Sequence, residues 1–361
     1  LKRTSLFDNH VSSGALMVPF GGWDMPIQYS SILNEAKAVR SGAGIFDVSH
    51  MGLVELNGLG SLEFLNKIVT ADVLSMKDGR AKYTLICNEQ GGIIDDTILY
   101  RLSSQDFLLV PNASNTDEIM SWLEEWKNKM EISVNINLVT GEKSLVAIQG
   151  PSSEKILGNL LASNPSELRP FRCEQSYIKT LPVIVCRTGY TGEDGFELVV
   201  PSEGVVFIWK ELVALGATPC GLGARDVLRL EAGLLLHGSD MNANINPLEA
   251  GLERFVSWDK EYFVGQEALA FIKQKGFPKK IVGFKLLQRG VPRNGYEILD
   301  HECNQIGVVT SGTYSQNLNM GIGLGYVPQA FASLGTSINV DIRGRNTPAE
   351  IVDIPFYKKQ G

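Results

Sequence analysis

Apolar residues take helical spacing most clearly after Thr116, where Ile119, Leu123, Trp126 and Met130 fall at i, i+4, i+7 and i+11. The period then switches at once. Ile132, Val134, Ile136 and Leu138 alternate strictly, which predicts a half-buried strand. A second helix is predicted over Ser31–Val39, with Gly42 beyond it as a stop. Residues 50–58 read as a strand, and Ser61 as the cap of a short helix presenting Leu62, Leu65 and Val69. Between 80 and 112 the pattern is one of antiparallel hairpins. Tyr83–Cys87 and Ile93–Arg101 are extended around an Asn88–Gly92 turn, and Phe107–Val110 follows a Ser103–Asp106 turn. A helix over Ser202–Leu215 turns Val205, Ile208, Trp209 and Leu212 inward and stops at Gly216; another spans Ala224–Leu236. From about residue 280 helical periodicity disappears. Ile281–Leu287, Gln305–Ser311, Ile322–Val327 and Ser337–Arg343 are short strands between glycine-rich turns, the pattern of a small barrel or sandwich. The class is α+β with a separate all-β C-terminal module.

Composition narrows the functions this fold can carry. A length of 361 residues suggests roughly two or three domains. The 33 Lys+Arg against 40 Asp+Glu give a net charge of −7, which disfavours binding driven by phosphate neutralisation and hence nucleic-acid partners. No apolar run approaches the roughly 20 residues of a membrane helix. Leu1-Lys2-Arg3-Thr4-Ser5 has no apolar signal core behind it, although the missing initiator Met leaves a removed leader open. The five cysteines are scattered and form no CxxC pair, and the four histidines have no ligand spacing. A reducing compartment without a disulfide framework or metal site follows.

Three segments could carry chemistry. In Gly91-Gly92-Ile93-Ile94-Asp95-Asp96 two carboxylates interrupt an apolar strand, and alternation places Asp96 with Ile94, Ile98 and Tyr100 while Asp95 points the other way. One of them either faces a ligand cavity, or both bond turn amides at an exposed strand start. The loop Arg187–Glu197 is glycine-rich without being a GxGxxG or GxxxxGK[ST] nucleotide loop. It is a plain hairpin loop, or it presents Tyr190 for stacking and Glu197 as an acceptor. Arg225 and Arg229 form an i, i+4 pair suited to carboxylate capture, or else a salt-bridged surface helix with Asp226 and Glu231. His50 lies near Ser49 and Asp47, but adjacency in sequence is not triad geometry, and a structural role is expected.

Taken together these segments resemble the aminomethyltransferase family of the glycine cleavage system, the T-proteins, over essentially the whole chain. The matching stretches are Phe20–Pro26, Gly44–Met51, Gly91–Asp96, Ile148–Pro151, Thr188–Glu197, Cys220–Glu231 and Val309–Ser315. The resemblance implies a three-domain, cloverleaf-like ring around a central folate cavity. Residues 1–51 plus 141–245 would form a discontinuous folate-binding domain, 52–140 an inserted α+β domain carrying Asp96, and 246–361 a helical linker followed by a small β-barrel. It implies transfer of an aminomethyl-derived carbon from the dihydrolipoyl arm of a carrier H-protein to tetrahydrofolate, releasing ammonia and forming the methylene derivative. Glycine decarboxylase and dihydrolipoyl dehydrogenase would be functional partners.

The same resemblance implies that Asp96 is catalytic and that Met51, Tyr83, Asn112, Tyr190, Glu197 and Arg225 or Arg229 line the folate pocket, with no metal. Arg293 would lie near the lipoyl arm, and Lys279, Lys280 and Arg293 could form a docking patch for the acidic carrier. Pro111 stands where the family commonly has valine, one residue before Asn112. A related family in iron–sulfur cluster maturation carries a cysteine in the stretch that reads Lys260–Glu267 here, and this chain has none there. A tetrahydrofolate-dependent demethylase of a small methylated substrate is the competing reading. A bacterial cytoplasm is the expected location, or a mitochondrial matrix after leader removal.

Overall fold

The computed structural model describes residues 1–359 of the chain. Two compact units are present. The first comprises Leu1–Ile86, Ile94–Arg225 and Asp259–Phe263; the second comprises Cys87–Ile93, Asp226–Trp258 and the described chain from Val264 onward. The class is α+β with a closed barrel at the C-terminal end.

The first unit holds two large sheets and a two-stranded one, Leu16–Phe20 with Trp23–Gln28. In the six-stranded sheet the order is Cys173–Ile178, Leu181–Cys186, Gly195–Pro201, Lys143–Gln149, Gly44–Asp47 and Thr218–Pro219. Alternation divides its side chains between two faces. Val183, Val185, Phe196, Leu198, Val146 and Ile148 pack on one side with Ile208, Trp209 and Leu212 of the helix Val205–Ala214. On the other side, Cys173, Cys186, Glu197, Ala147 and Phe46 follow one another across the registered strands. The five-stranded sheet runs Arg80–Cys87, Ile93–Arg101, Asp106–Val110, Val54–Asn57 and Asn135–Leu138.

Local chemistry accounts for most boundaries. Ser31 caps the helix Ile32–Ser41 by accepting from the Asn34 amide at 3.3 Å. The helix Thr116–Met130 has Asp117 and Glu118 in its first turn and Lys127 and Lys129 in its last, complementing its dipole. Its buried stripe is Thr116, Ile119, Leu123 and Trp126, while Met130 is only half-buried. The Ser202–Leu215 prediction resolves into a 3-10 turn over Ser202–Gly204 and the helix Val205–Ala214, with the four expected residues buried.

Four expectations need correction. The strand expected over 50–58 is confined to Val54–Asn57. Ser61 lies inside the helix Ser61–Ile68, not at its cap, because its hydroxyl donates to the carbonyls of Gly58 and Gln105. Leu65 and Val69 are buried as expected, joined by Phe64 and Ile68, while Leu62 is only half-buried. The alternating strand shrinks to Asn135–Leu138, an edge strand whose Leu138 is exposed, since only one neighbour covers it.

The fourth correction lies in the helix Leu222–Glu231, which stops five residues before the predicted Leu236. Gly233 adopts a left-handed φ of 68°, and the Leu234 amide donates to the Arg229 carbonyl at 2.9 Å. This end closure overrides the apolar run that follows.

The second unit contains the barrel, in the order Lys279–Leu286, Met320–Pro328, Gln305–Ser315, Glu297–Leu299, Ser337–Asp341 and Asn346–Val352, closing on its first strand. Phe284, Ile298, Val309, Val340 and Ile351 fill its interior. Two of these strands, Glu297–Leu299 and Asn346–Val352, were not anticipated: one is only three residues long, and the other contains Pro348. Among the described residues no helix is long and apolar enough to cross a membrane, and no group of three or more His, Cys, Asp or Glu could hold a metal.

Candidate active site

The hairpin Arg80–Cys87 and Ile93–Arg101 places the two aspartates on opposite faces of one strand. Its turn is grouped with the second unit, where Gly92 is required: a Cβ there would meet the Ala243 carbonyl oxygen at 1.8 Å. Asp95 is fully buried and receives three donors. The Asn112 amide donates at 2.9 Å, the Asn112 side-chain amide at 2.7 Å and the Asn115 side-chain amide at 2.7 Å. The reading in which both aspartates bond turn amides therefore does not hold. Asp96 is half-buried, accepting from the Tyr83 hydroxyl at 2.9 Å and the Asn112 side chain at 2.9 Å.

Burial, then the neighbouring Asp96 charge, pushes the Asp95 carboxyl up to about 7 against its three donors. Near neutral pH Asp95 therefore holds a proton part of the time. The Tyr83 hydroxyl is raised well above its ordinary value, first by burial and then by Asp96, so it remains a donor to that carboxylate.

Asn112 keeps both of its donors despite the preceding proline. Pro111 follows the last residue of the strand Asp106–Val110, where the ladder asks for no further amide, and its carbonyl accepts from Gly52. Asn115 was missed, although the Asn112-Ala113-Ser114-Asn115 run carried the signal. The 3-10 turn at Ala113–Asn115 lets both amides reach one carboxylate.

A second cluster of the first unit forms around Glu197, directly opposite Cys186 on the neighbouring strand. Its Oε2 accepts from the Thr188 hydroxyl at 2.5 Å and the Tyr100 hydroxyl at 3.1 Å, while Oε1 has no partner among the described residues. Neither Tyr100 nor Thr188 was singled out from sequence; Tyr100, sharing the alternation of Asp96, was the available signal. Gly189 feeds this loop where no side chain fits, since a Cβ would lie 2.0 Å from Gln149 Oε1. Tyr190 is half-buried, with the Arg225 guanidinium carbon 4.7 Å from its ring centroid.

The two arginines part company. Arg229 is 2% exposed and committed to protein: Nη1 donates to Asp240 at 2.6 Å and to the Leu234 carbonyl at 3.1 Å, Nη2 to Ser311 at 2.7 Å, and Nε to Asp226 at 2.8 Å. Arg225 Nη1 is buried with no partner. Burial holds its guanidinium below the usual value, with the Glu197 charge partly offsetting it. Of the pair, Arg225 alone has donor capacity to give a ligand. Met51 is half-buried, its amide donating to Val48 and its carbonyl accepting from Thr140 at 3.3 Å.

His50, expected to be structural, has a buried Nδ1 without a partner and lies edge-on to Phe20, with ring centroids 5.6 Å apart. Burial pushes its imidazole down to about 4; the Asp47 carboxylate works against this shift and the Arg225 charge adds to it. The unfolded chain therefore takes up more protons than the folded one between about 6.5 and about 4. Stability is lost as pH falls through that window. His50→Gln should remove about 2 kcal/mol of the loss between pH 7 and 5, read from urea unfolding of both proteins at each pH. Parallel losses in both would contradict a neutral buried His50.

Met51, Tyr83, Asp96, Asn112, Tyr190, Glu197 and Arg225 are thus all half-buried side chains of the first unit, the exposure expected of a pocket wall. Arg225 Nη1 and His50 Nδ1 are buried polar atoms that need a partner. An aromatic face, an acceptor oxygen and a guanidinium donor suit a flat heterocycle with polar edges.

Residues 6–260 match the family model of the GCVT N-terminal domain, and residues 279–358 that of the glycine cleavage T-protein C-terminal barrel domain. The chain is 43% identical over 365 residues to an aminomethyltransferase of Desulfitobacterium hafniense, covering 100% of this chain and 99% of the relative. It is 45% identical over 360 residues to one of Halothermothrix orenii, covering 99% and 100%. The crystal structure of glycine cleavage system aminomethyltransferase T from Bartonella henselae superposes with a TM-score of 0.94 at 34% identity, covering 100% of this chain and 99% of the other.

Proposed function

Because the chain belongs to the glycine cleavage T-protein family of aminomethyltransferases, we propose that it moves the carbon of an aminomethyl group from the dihydrolipoyl arm of a carrier H-protein to tetrahydrofolate, with loss of ammonia. The observation that carries this reading is Asp96, a half-buried carboxylate fixed by Tyr83 and Asn112 beside a fully buried Asp95. Tetrahydrofolate supplies the amine nitrogens that accept the carbon. Asp96 orients the attacking amine and stabilises the positive charge that develops as ammonia departs. The hydrogen bonds from Tyr83 and Asn112 mean that little reorganisation is needed at that moment. Asp95 supports it from beneath: a carboxyl that titrates near 7 adds less repulsion than a second full charge would.

The ring of Tyr190 offers a stacking face, Glu197 Oε1 an acceptor and Arg225 Nη1 a donor, which together hold the pterin. Tyr100 and Thr188 act through Glu197 by fixing its other oxygen. Arg229 is a structural residue in this reading, and Asn112 acts through both aspartates.

The test is donor identity. Aminomethyl-loaded H-protein should support turnover and free N-methylated amino acids should not; the reverse would assign a demethylase. Carrier docking gives a further expectation. Lys280 and Arg293 are exposed on the barrel, and Lys279 is half-buried with its ammonium 5.2 Å from the Tyr326 ring centroid. If these cations meet the acidic carrier, affinity should fall several-fold between low and physiological salt and lose that slope in Lys280→Ala/Arg293→Ala. A salt-independent affinity would remove the patch from the reading.

A further inference from the structure

Two cysteines lie directly opposite each other on antiparallel strands, on the sheet face that also carries Glu197. Cys173 pairs with Cys186, and Cys186 pairs with Glu197 on the next strand. The Lys179–Thr180 turn joins the registered Ile178 and Leu181, so alternation from that hydrogen-bonded pair makes Cys173 and Cys186 a non-hydrogen-bonded pair. Consistently, the Cys173 amide donates away from its partner, to the Gly79 carbonyl at 2.9 Å. Cα atoms in such pairs stand about 4.5 Å apart with side chains converging, within the roughly 4.4–6.8 Å a disulfide spans and near its short end.

Access comes from one side. Cys173 is 5% exposed and Cys186 fully buried, but Cys173 also lines an open cleft of 290 Å³ with Gly79, Glu167, Leu168, Arg169 and Arg172. The two arginines attract an anionic reagent to that cleft. Cys87, Cys186 and Cys220 are all buried thiols pushed upward by that burial, and Cys303 is exposed; what sets Cys186 apart is the cysteine directly opposite it on the neighbouring strand. Cys173 and Cys186 therefore combine an entrance with a facing partner.

We propose that Cys173 and Cys186 form a reversible thiol–disulfide site, oxidised by a small anionic disulfide such as glutathione disulfide through the arginine-lined cleft. The Cys173 thiolate attacks one sulfur of the reagent, the reagent's S–S bond breaks, and one thiol leaves carrying the proton Cys173 lost. Cys186 then gives up its proton, attacks the Cys173 sulfur and expels the second thiol. Two protein thiols are oxidised by two electrons, and one reagent disulfide is reduced to two thiols. A bridge at the short end of the allowed span is strained and readily reduced, which suits a sensor more than a staple.

The consequence reaches the site through Tyr100. Its hydroxyl bonds both Thr188 and Glu197 and also lies against the Cys186 thiol. Drawing Cys186 toward Cys173 unseats Tyr100 from Glu197. This coupling rests on the folate reading above; the disulfide itself does not.

Cys303→Ser protein treated with glutathione disulfide should lose the mass of two hydrogens and yield a Cys173–Cys186 cross-linked peptide, both reversed by dithiothreitol. Cys186→Ser in the same background should instead retain a mixed disulfide on Cys173. A persistent adduct on Cys173 in the protein with Cys186 intact, unreacted thiols, or a bridge to Cys87 or Cys220 would overturn the pairing. Tetrahydrofolate affinity, measured by calorimetry, should fall about tenfold on oxidation, the loss of one hydrogen bond to a charged group. Unchanged affinity in fully bridged protein would overturn the coupling to Glu197. Absence of folate binding even in reduced protein would count against the folate reading and leave the mass result standing.

Discussion

Asp96→Asn lowers turnover by about a hundred- to a thousandfold, the cost of removing one preorganised charge from a developing cation, while tetrahydrofolate affinity stays near that of the unmodified protein. The substitution keeps the shape and the Tyr83 bond at one oxygen, but it removes the negative charge and turns a donor toward Asn112. Asp95→Asn acts elsewhere. Its new amide group faces donors from Asn112 and Asn115, so it should cost about 1–3 kcal/mol of stability and leave turnover of the folded fraction nearly intact. Single-turnover kinetics beside urea unfolding separate the two. A larger loss of turnover in Asp95→Asn would contradict the assignment of strand faces.

Arg229→Met should be the most damaging of the arginine substitutions for stability, at about 3–5 kcal/mol, because it leaves the buried Asp240 carboxylate without its guanidinium. Arg225→Met should do the opposite in the absence of ligand. It removes a buried Nη1 that has no partner, so stability should be unchanged or raised, since such an orphan donor costs about 1–3 kcal/mol. Tetrahydrofolate affinity should meanwhile drop by about tenfold or more. Thermal unfolding with and without tetrahydrofolate reads both effects. Arg225→Met that unfolds, or that binds tetrahydrofolate normally, would return the choice between the arginines to Arg229.

Sequence alone showed the two arginines on one helix but could not separate them, because helical spacing says nothing about what waits in the rest of the fold. Asp240 and Ser311 come from distant segments and decide the matter. The Asp95/Asp96 alternation was readable, since a strand has a fixed period of two. Its meaning depended on Asn112 and Asn115, brought opposite by the strand Asp106–Val110 and the turn after it. The helix Thr116–Met130 was plain because its stripe, first-turn acids and last-turn lysines agree. The helix after Leu222 was drawn too long because the apolar run Leu234–Leu236 follows it, whereas the left-handed Gly233 ends it. His50 was set aside as a core histidine. It is indeed buried, but its partnerless Nδ1 becomes visible only when the packing is known.

The most direct test of the account supplies the protein with tetrahydrofolate and aminomethyl-loaded lipoyl H-protein and follows ammonia and methylene-tetrahydrofolate in the same sample. Equal release of both, lost in Asp96→Asn, is the predicted result. Tetrahydrofolate binding with neither product formed would contradict it.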